Sequence, residues 1–455
     1  MRIAMLISCA LLSSASIVLG QAATAPTTKP VPPTKASYLR VAAEVEKSLQ
    51  DDDLKKFFPA AVDNQGGGFF ESFSENWTHT GLNGRGNAST DTTRSVVYQS
   101  RLTWLAAQAA MRYPAEAEKY LAIARHGAKF LEEKQWDAKN GGFWWAVDTN
   151  GVARSDSKHA YGNSFAIYAL ATSYKATHDP DALDYAKKGF AWMEKNAHDE
   201  KNGGYFEQIR GDGSLITAAA AGGDIVGARN GQKSMNSHIH LLESFTALLE
   251  VWPDDLVKKR TEELYQIGLT KIYSDPGYLY MFFSPDWTPV AGRDSYGHDI
   301  ETAFLFADAA AALGKPDDPA CWRAGRNIVD HCLKVAFSPT EGCLYNEGTV
   351  DGSGTPDKSK VWWVQAEALN ALLLMHDRYG QSDPKYWNAF VQEWNFISAH
   401  QIDHQNGGWY NTLNPDKTPL RSKIAKTDSW TEGYHQGRSM LTVTATLKRL
   451  ADANN

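Results

Sequence analysis

Four stretches of the chain share one pattern, an Asp followed by a glycine pair and then aromatics. They read DNQGGGFFE (63–71), DAKNGGFWWAVD (137–148), DEKNGGYFE (199–207) and DHQNGGWYN (403–411). DPGYLYMF (275–282) and EGCLYNEG (341–348) echo it. A turn that recurs this way must punctuate equivalent units, so it constrains the architecture more than any other feature. Between its copies apolar residues recur with helical periodicity. Twelve amphipathic segments result, at 36–57, 91–112, 115–135, 157–177, 181–197, 233–251, 254–273, 295–314, 317–337, 359–379, 384–402 and 433–451.

The links between these segments alternate. Those from even to odd segments are short Pro/Asp turns, such as YPAE (113–116), HDPD (178–181), WPDD (252–255) and GKPDD (314–318). Such turns stop one helix and cap the next. Links from odd to even segments are long, and each carries a Gly-Gly-aromatic stretch or its echo. The unit is therefore helix, hairpin loop, helix, tight turn, about 70 residues long. Six such pairs predict an all-α fold, an (α/α)6 barrel of twelve helices with short β-hairpin loops at one end. Even helices form the inner ring and odd helices the outer. An open solenoid is the architectural alternative. The glycines permit a turn with φ > 0, and the aromatics either pack the loop or line the mouth.

The 455 residues are 43% hydrophobic and 22% charged, the composition of a globular protein. Net charge is −7 with no basic stripe, which argues against nucleic acid as a partner. At the N-terminus Arg2 precedes IAMLISCALLSSASIVLG and the small-residue stretch QAATA, the pattern of a secretory signal peptide over residues 1–25. A Pro/Thr-rich linker (26–35) and the barrel (36–455) follow. The expected location is periplasmic or secreted, with no membrane association once the signal is cleaved. Cys321, Cys332 and Cys343 would remain, and three cysteines allow at most one intrachain bridge.

Inner helices begin at the mouth, so polar residues early in even segments are the candidates for chemistry. They are Arg101, Tyr161, Asn236 with His240, His298 with Glu301, Trp362 and Trp363 with Glu367, and Trp430 with His435. Asn236 and His240 are i,i+4, and His298 and Glu301 are i,i+3, so each pair shares a helix face. A carboxylate beside an imidazole orients it and fixes its tautomer. His298 and His435 lie near helix N-termini, where the dipole favours a neutral base. The 15 Trp and 19 Tyr offer stacking surfaces for a sugar as readily as core. No HExxH, P-loop or GxGxxG motif is present, and neither a metal nor a cofactor is expected.

At SRLTW, SFAIYAL, MNSHIHLLESFT, SYGHDIE, KVWWVQAEAL and the W-x4-H before GR, the sequence resembles the N-acylglucosamine 2-epimerase superfamily, closest to its cellobiose 2-epimerase branch. The resemblance covers most of the chain from about residue 40. It implies an (α/α)6 barrel and an isomerase without a redox cofactor. The implied reaction interconverts glucose and mannose configuration at the reducing end of β-linked disaccharides such as cellobiose or mannobiose, through an enediolate. The implied acid/base pair is His298 and His435, with Glu301 supporting His298 and His240 moving protons among the substrate oxygens. Arg101, Tyr161 and Asn236 would hold the sugar, and Trp362, Trp363 and Trp430 would wall it. The implied partner is a small carbohydrate, and the expected state a monomer or weak homodimer.

Two departures flank the mouth. Where the family has WK-x-PYH, this chain reads WTEGYH (430–435), and the segment holding GLNGRGNAST (81–90) is longer than expected. The close alternatives are a monosaccharide or N-acylglucosamine 2-epimerase and an aldose–ketose isomerase on the same scaffold. More distant ones are a glycoside hydrolase, which would need two opposed carboxylates among Glu301, Glu367 and Glu432, and a catalytically silent sugar-binding barrel.

Overall fold

The computed structural model describes residues 31–80 and 92–453. The expected signal peptide (1–25), the first half of the linker and GLNGRGNAST (81–90) lie outside the described residues. Twelve long helices are present among the described residues. They are α1 (Lys35–Ser48), α2 (Val96–Arg112), α3 (Ala117–Phe130), α4 (Ala160–Thr177), α5 (Pro180–Asn196), α6 (Met235–Val251), α7 (Asp255–Ile267), α8 (Tyr296–Ala312), α9 (Pro319–Val335), α10 (Trp362–Tyr379), α11 (Lys385–Phe396) and α12 (Tyr434–Ala453). Even helices pack side by side in sequence, and α12 closes on α2, so the inner ring is complete and the fold is an (α/α)6 barrel. No described helix is long and apolar enough to cross a membrane.

Several outer helices run beyond their α-helical part. α1, α3, α7 and α11 are each continued by a π-helical turn, at Leu49–Leu54, Leu131–Gln135, Gly268–Ile272 and Ile397–Gln401. These turns deliver the chain into three of the Gly-Gly loops and into the DPGYLYMF echo. Thr34, in the expected linker, already caps α1 through a hydrogen bond from Ser37 N, and Trp387 Nε1 donates to Val31 O at 2.6 Å. The barrel body therefore begins at about Val31 rather than residue 36. The three cysteines are free and buried.

The recurring turn has a specific job. Both glycines of each pair take positive φ, for example 73° and 77° at Gly141 and Gly142. An aromatic covers them: a Cβ on Gly142 would lie 2.6 Å from the Trp192 ring, and one on Gly408 2.6 Å from Trp77. The Asp caps its own turn and then binds a buried cation that stands two residues before most inner helices. The pairs are Arg94–Asp63 (2.8 Å), Lys158–Asp137 (2.6 Å), Lys233–Asp199 (2.8 Å) and Lys426–Asp403 (2.6 Å), with Lys360–Glu341 (3.0 Å) in the fifth repeat. The ammonium also gathers carbonyls from neighbouring loops. Lys158 Nζ donates to Gly141 O and Gly211 O, and Lys233 Nζ to Gly203 O and Pro285 O. Two-residue ladders tie four repeats to the next, as Arg94–Ser95 pairs with Ala146–Val147 and Lys158–His159 with Gln208–Ile209, and single bridges at Asp294–Gly348 and Phe73–Thr427 make the other two links. The long loops are thus laced into one rim at the N-terminal ends of the inner helices.

Candidate active site

The rim sets where each inner helix starts, and helical geometry then sets which residues meet on the axis. Tyr161, Asn236, Trp363 and His435 are each the second residue of their helix. Arg101, His240, Glu301 and Glu367 are each the sixth, one turn deeper, and His298 is the third residue of α8. The structure therefore brings the sequence-derived candidates to one end of the barrel.

Three imidazoles meet there, each held at Nδ1. His435 Nδ1 lies 2.6 Å from Glu367 Oε1, His240 Nδ1 2.9 Å from Glu243 Oε2, and His298 Nδ1 2.6 Å from Ser295 Oγ. Glu301, expected to support His298, hydrogen-bonds Arg438 instead, and Ser295 takes its place on the ring. No described residue bonds Nε2 of any of the three. Trp363 lies between two of them, its ring 4.7 Å from that of His298 and 5.6 Å from that of His435. Burial, opposed by Glu301, lowers His298 to about 4. Burial, then Arg101 and Arg438, holds His435 well below the usual imidazole range. Both rings are consequently neutral near pH 7.

Arg438, the fifth residue of α12, was not among the sequence candidates. Its guanidinium reaches Glu243, Glu301 and Glu367, donating to Glu367 Oε1 at 2.7 Å. Burial raises Glu243, but Arg438 and then His240 outweigh it and bring the carboxyl to about 2. Glu367 is pushed up by burial more than Arg438 pulls it down, so the Glu367–His435 pair retains a proton. Glu301, Glu367 and His435 have the spacing of a metal-ligand set, yet the cation seated among these carboxylates is Arg438. The signal for Arg438 was available: it falls three residues after His435, one turn along the same face. Nothing local in the sequence showed that three acids from three helices converge on it. Beyond Arg438 and Glu243, toward the C-terminal ends of the inner helices, lies a cavity of about 570 Å³ walled by Trp104 and Tyr168.

The remaining candidates form the upper wall. Arg101 donates to Tyr161 Oη at 3.0 Å and pairs with Glu432 at 3.2 Å, while its guanidinium stacks 4.3 Å from the Phe165 ring. Asn236 is half-buried and its Oδ1 has no partner. Trp430 and Trp145, a second residue missed in the sequence, face each other at 5.8 Å, with Tyr161 6.0 Å from Trp430. Trp362 is buried, 6.4 Å ring to ring from His435, while Trp363 is half-buried. The unusual WTEGYH stretch also has a local account. A Cβ at Gly433, where the family has Pro, would lie 2.7 Å from Leu105 and 2.8 Å from Asp53. Glu432 beside it supplies the partner of Arg101.

Comparison with known proteins agrees with this geometry. The family described as N-acylglucosamine 2-epimerase (GlcNAc 2-epimerase) matches residues 68–182 and 225–435. The cellobiose 2-epimerase of Dictyoglomus turgidum is 31% identical, covering 77% of this chain and 87% of its own length. That of Bacteroides fragilis is 28% identical over 87% of this chain and 96% of its own. Among solved structures, cellobiose 2-epimerase from Spirochaeta thermophila superposes with a TM-score of 0.78 at 29% identity, covering 91% of this chain and 98% of that one. The chain belongs to the N-acylglucosamine 2-epimerase family, and it is a sugar 2-epimerase.

Proposed function

We propose that the substrate is a β-linked disaccharide such as cellobiose or mannobiose, epimerised at C2 of its reducing-end residue by His298 and His435. The observation that supports this most is the placement of two neutral imidazoles about Trp363, each anchored at Nδ1 and free at Nε2. C2–H is not acidic in the closed ring. Opening to the aldehyde places it next to a carbonyl, and one imidazole can then remove it. The enediolate so formed is stabilised by donors aimed at O1 and O2, for which Arg101, Asn236 and His240 are the residues at hand. Return of a proton on the opposite face inverts C2: His435 can deliver it from Nε2 as its Nδ1 takes up the proton held with Glu367, while His298 keeps the proton removed until both exchange with solvent. An imidazole suits both halves because one ring nitrogen can take up a proton while the other releases one. Trp430 and Trp145 stand at the mouth, where the second sugar would stack.

The test is proton NMR of purified protein with cellobiose in D2O, beside a His435→Ala control. Growth of a glucosyl-mannose signal with deuterium at C2, absent in the control, is the expected result. A ketose product would make the enzyme an aldose–ketose isomerase, and free glucose would make it a hydrolase. No change with cellobiose or mannobiose but turnover of glucose, mannose or N-acetylglucosamine would reassign the substrate to a monosaccharide.

We also infer export from the cell, on the basic start, short apolar run and small-residue stretch at residues 1–25. Mass spectrometry of the chain recovered from its native host decides it, since an intact N-terminus would refute cleavage.

A further inference from the structure

One repeat breaks the rule that lays a buried cation before each inner helix. Arg94, Lys158, Lys233 and Lys360 hold equivalent places in the rim, each pairing with a residue of the next loop: Val147, Ile209, Phe283 and Leu413. Before α8 the equivalent residue is Asp294, which pairs with Gly348 in the same way. The sign of the buried charge is therefore reversed at this one position. Asp294 is 0% exposed, and Asp299, the fourth residue of α8, is 1% exposed.

Asp299 breaks a second rule. In α2, α4 and α10 the fourth residue is Gln99, Asn163 or Gln365. Each amide accepts from a loop N–H and donates to a loop carbonyl through its nitrogen. Asp299 Oδ1 accepts from Leu279 N at 3.0 Å, but it has no nitrogen to donate, and its Oδ2 is buried without a partner. Asp294 Oδ1 is buried without one as well. His331, from α9, completes the cluster with Nε2 2.9 Å from Asp294 Oδ2. One ligand atom from each of the three residues lies within 4.8 Å of the others. Among the described residues no ammonium or guanidinium bonds to either carboxylate. This differs from the catalytic carboxylates, which share Arg438.

We propose that Asp294, Asp299 and His331 bind a divalent metal ion that takes the structural place of the missing Lys. Two carboxylates and one imidazole suit Zn²⁺ or Mn²⁺, because the imidazole disfavours Ca²⁺ and Mg²⁺. An ion about 2.1 Å from each donor would offset two buried carboxylates that have no cation beside them among the described residues. The three residues come from two helices and a loop, so no sequence spacing announces them. The site lies in the rim beside the start of α8, the helix that carries His298, and its role is to hold that start in place.

The test uses the whole protein, stripped with chelator, dialysed, and titrated with ZnCl2 or MnCl2 alone. Bound metal is counted by elemental analysis and the melting temperature followed by circular dichroism. The expected result is one equivalent bound with a rise of several degrees. Asp299→Asn should abolish both while the metal-free variant melts no lower than metal-free wild type, because the amide restores the pattern of Gln99 and Asn163. His331→Gln should weaken binding at least tenfold. No bound metal and no shift in the wild type would overturn the proposal. An equivalent that survives Asp299→Asn would place the ion elsewhere and overturn it equally.

Discussion

Glu367 Oε1 lies 2.6 Å from Nδ1 of His435, and the same oxygen accepts from Arg438 Nη2 at 2.7 Å. One carboxylate oxygen thus orients the imidazole and ties it to the guanidinium beneath the site. Glu367→Gln keeps the shape but cannot hold the proton that the pair shares. We expect kcat to fall about 10²–10⁴-fold, as for loss of a positioned acid/base, with little change in KM. Steady-state kinetics together with C2 deuterium wash-in checks both.

Arg438 serves Glu243, Glu301 and Glu367 at once. A lysine is a point charge on a flexible stem and cannot reproduce a planar fork reaching three carboxylates. Arg438→Lys is therefore expected to lose at least about 10²-fold in kcat while the far-ultraviolet spectrum is kept. Recovery of more than half the activity would show that charge alone suffices at this position.

The two imidazoles set the acid limb. His298 titrates at about 4 in the folded protein, so its base form persists well below pH 6. The kcat/KM profile should hold from neutral pH down to about 5 and fall toward pH 4. Stability follows the same sign. The unfolded chain takes up the proton at its ordinary value of 6.5, before the folded protein does, so the stabilisation is complete above 6.5 and drains away as pH falls through about 4. Asp199 and Asp403 add a second loss below their ordinary value of 3.8, since their buried Lys partners help hold both at about 2. Chemical denaturation at a series of pH values measures both phases.

Lys233 is wholly buried against Asp199 and two loop carbonyls. Lys233→Met leaves Asp199 buried and uncompensated, at a cost of about 3–5 kcal/mol. The urea midpoint should drop accordingly, and activity should persist at low temperature because no catalytic residue is touched.

Gly142 has φ 77°, and a Cβ there would lie 2.6 Å from Trp192. Gly142→Ala combines a strained backbone with an aromatic clash and should cost about 1–3 kcal/mol. Gly314 also has positive φ but open space around it, so Gly314→Ala should cost less. Comparing the two melting temperatures separates backbone strain from packing.

The sequence by itself determined the barrel and the end of it at which most of the candidate site residues lie. Helical periodicity marked twelve segments, the alternation of short and long links sorted inner from outer helices, and the start of each inner helix located Arg101, Tyr161, Asn236, His240, His298 and His435. All of these are local signals, carried by residues within a turn or a loop of one another. What only the tertiary structure decided were relations between distant parts of the chain. Arg438 gathers acids from α6, α8 and α10. Ser295 rather than Glu301 holds His298. The Asp of each recurring turn binds a cation beside the next inner helix, and at Asp294 that cation is missing. Each depends on which helices the closed ring makes neighbours and on how its rim fixes their depth, and no single segment encodes that.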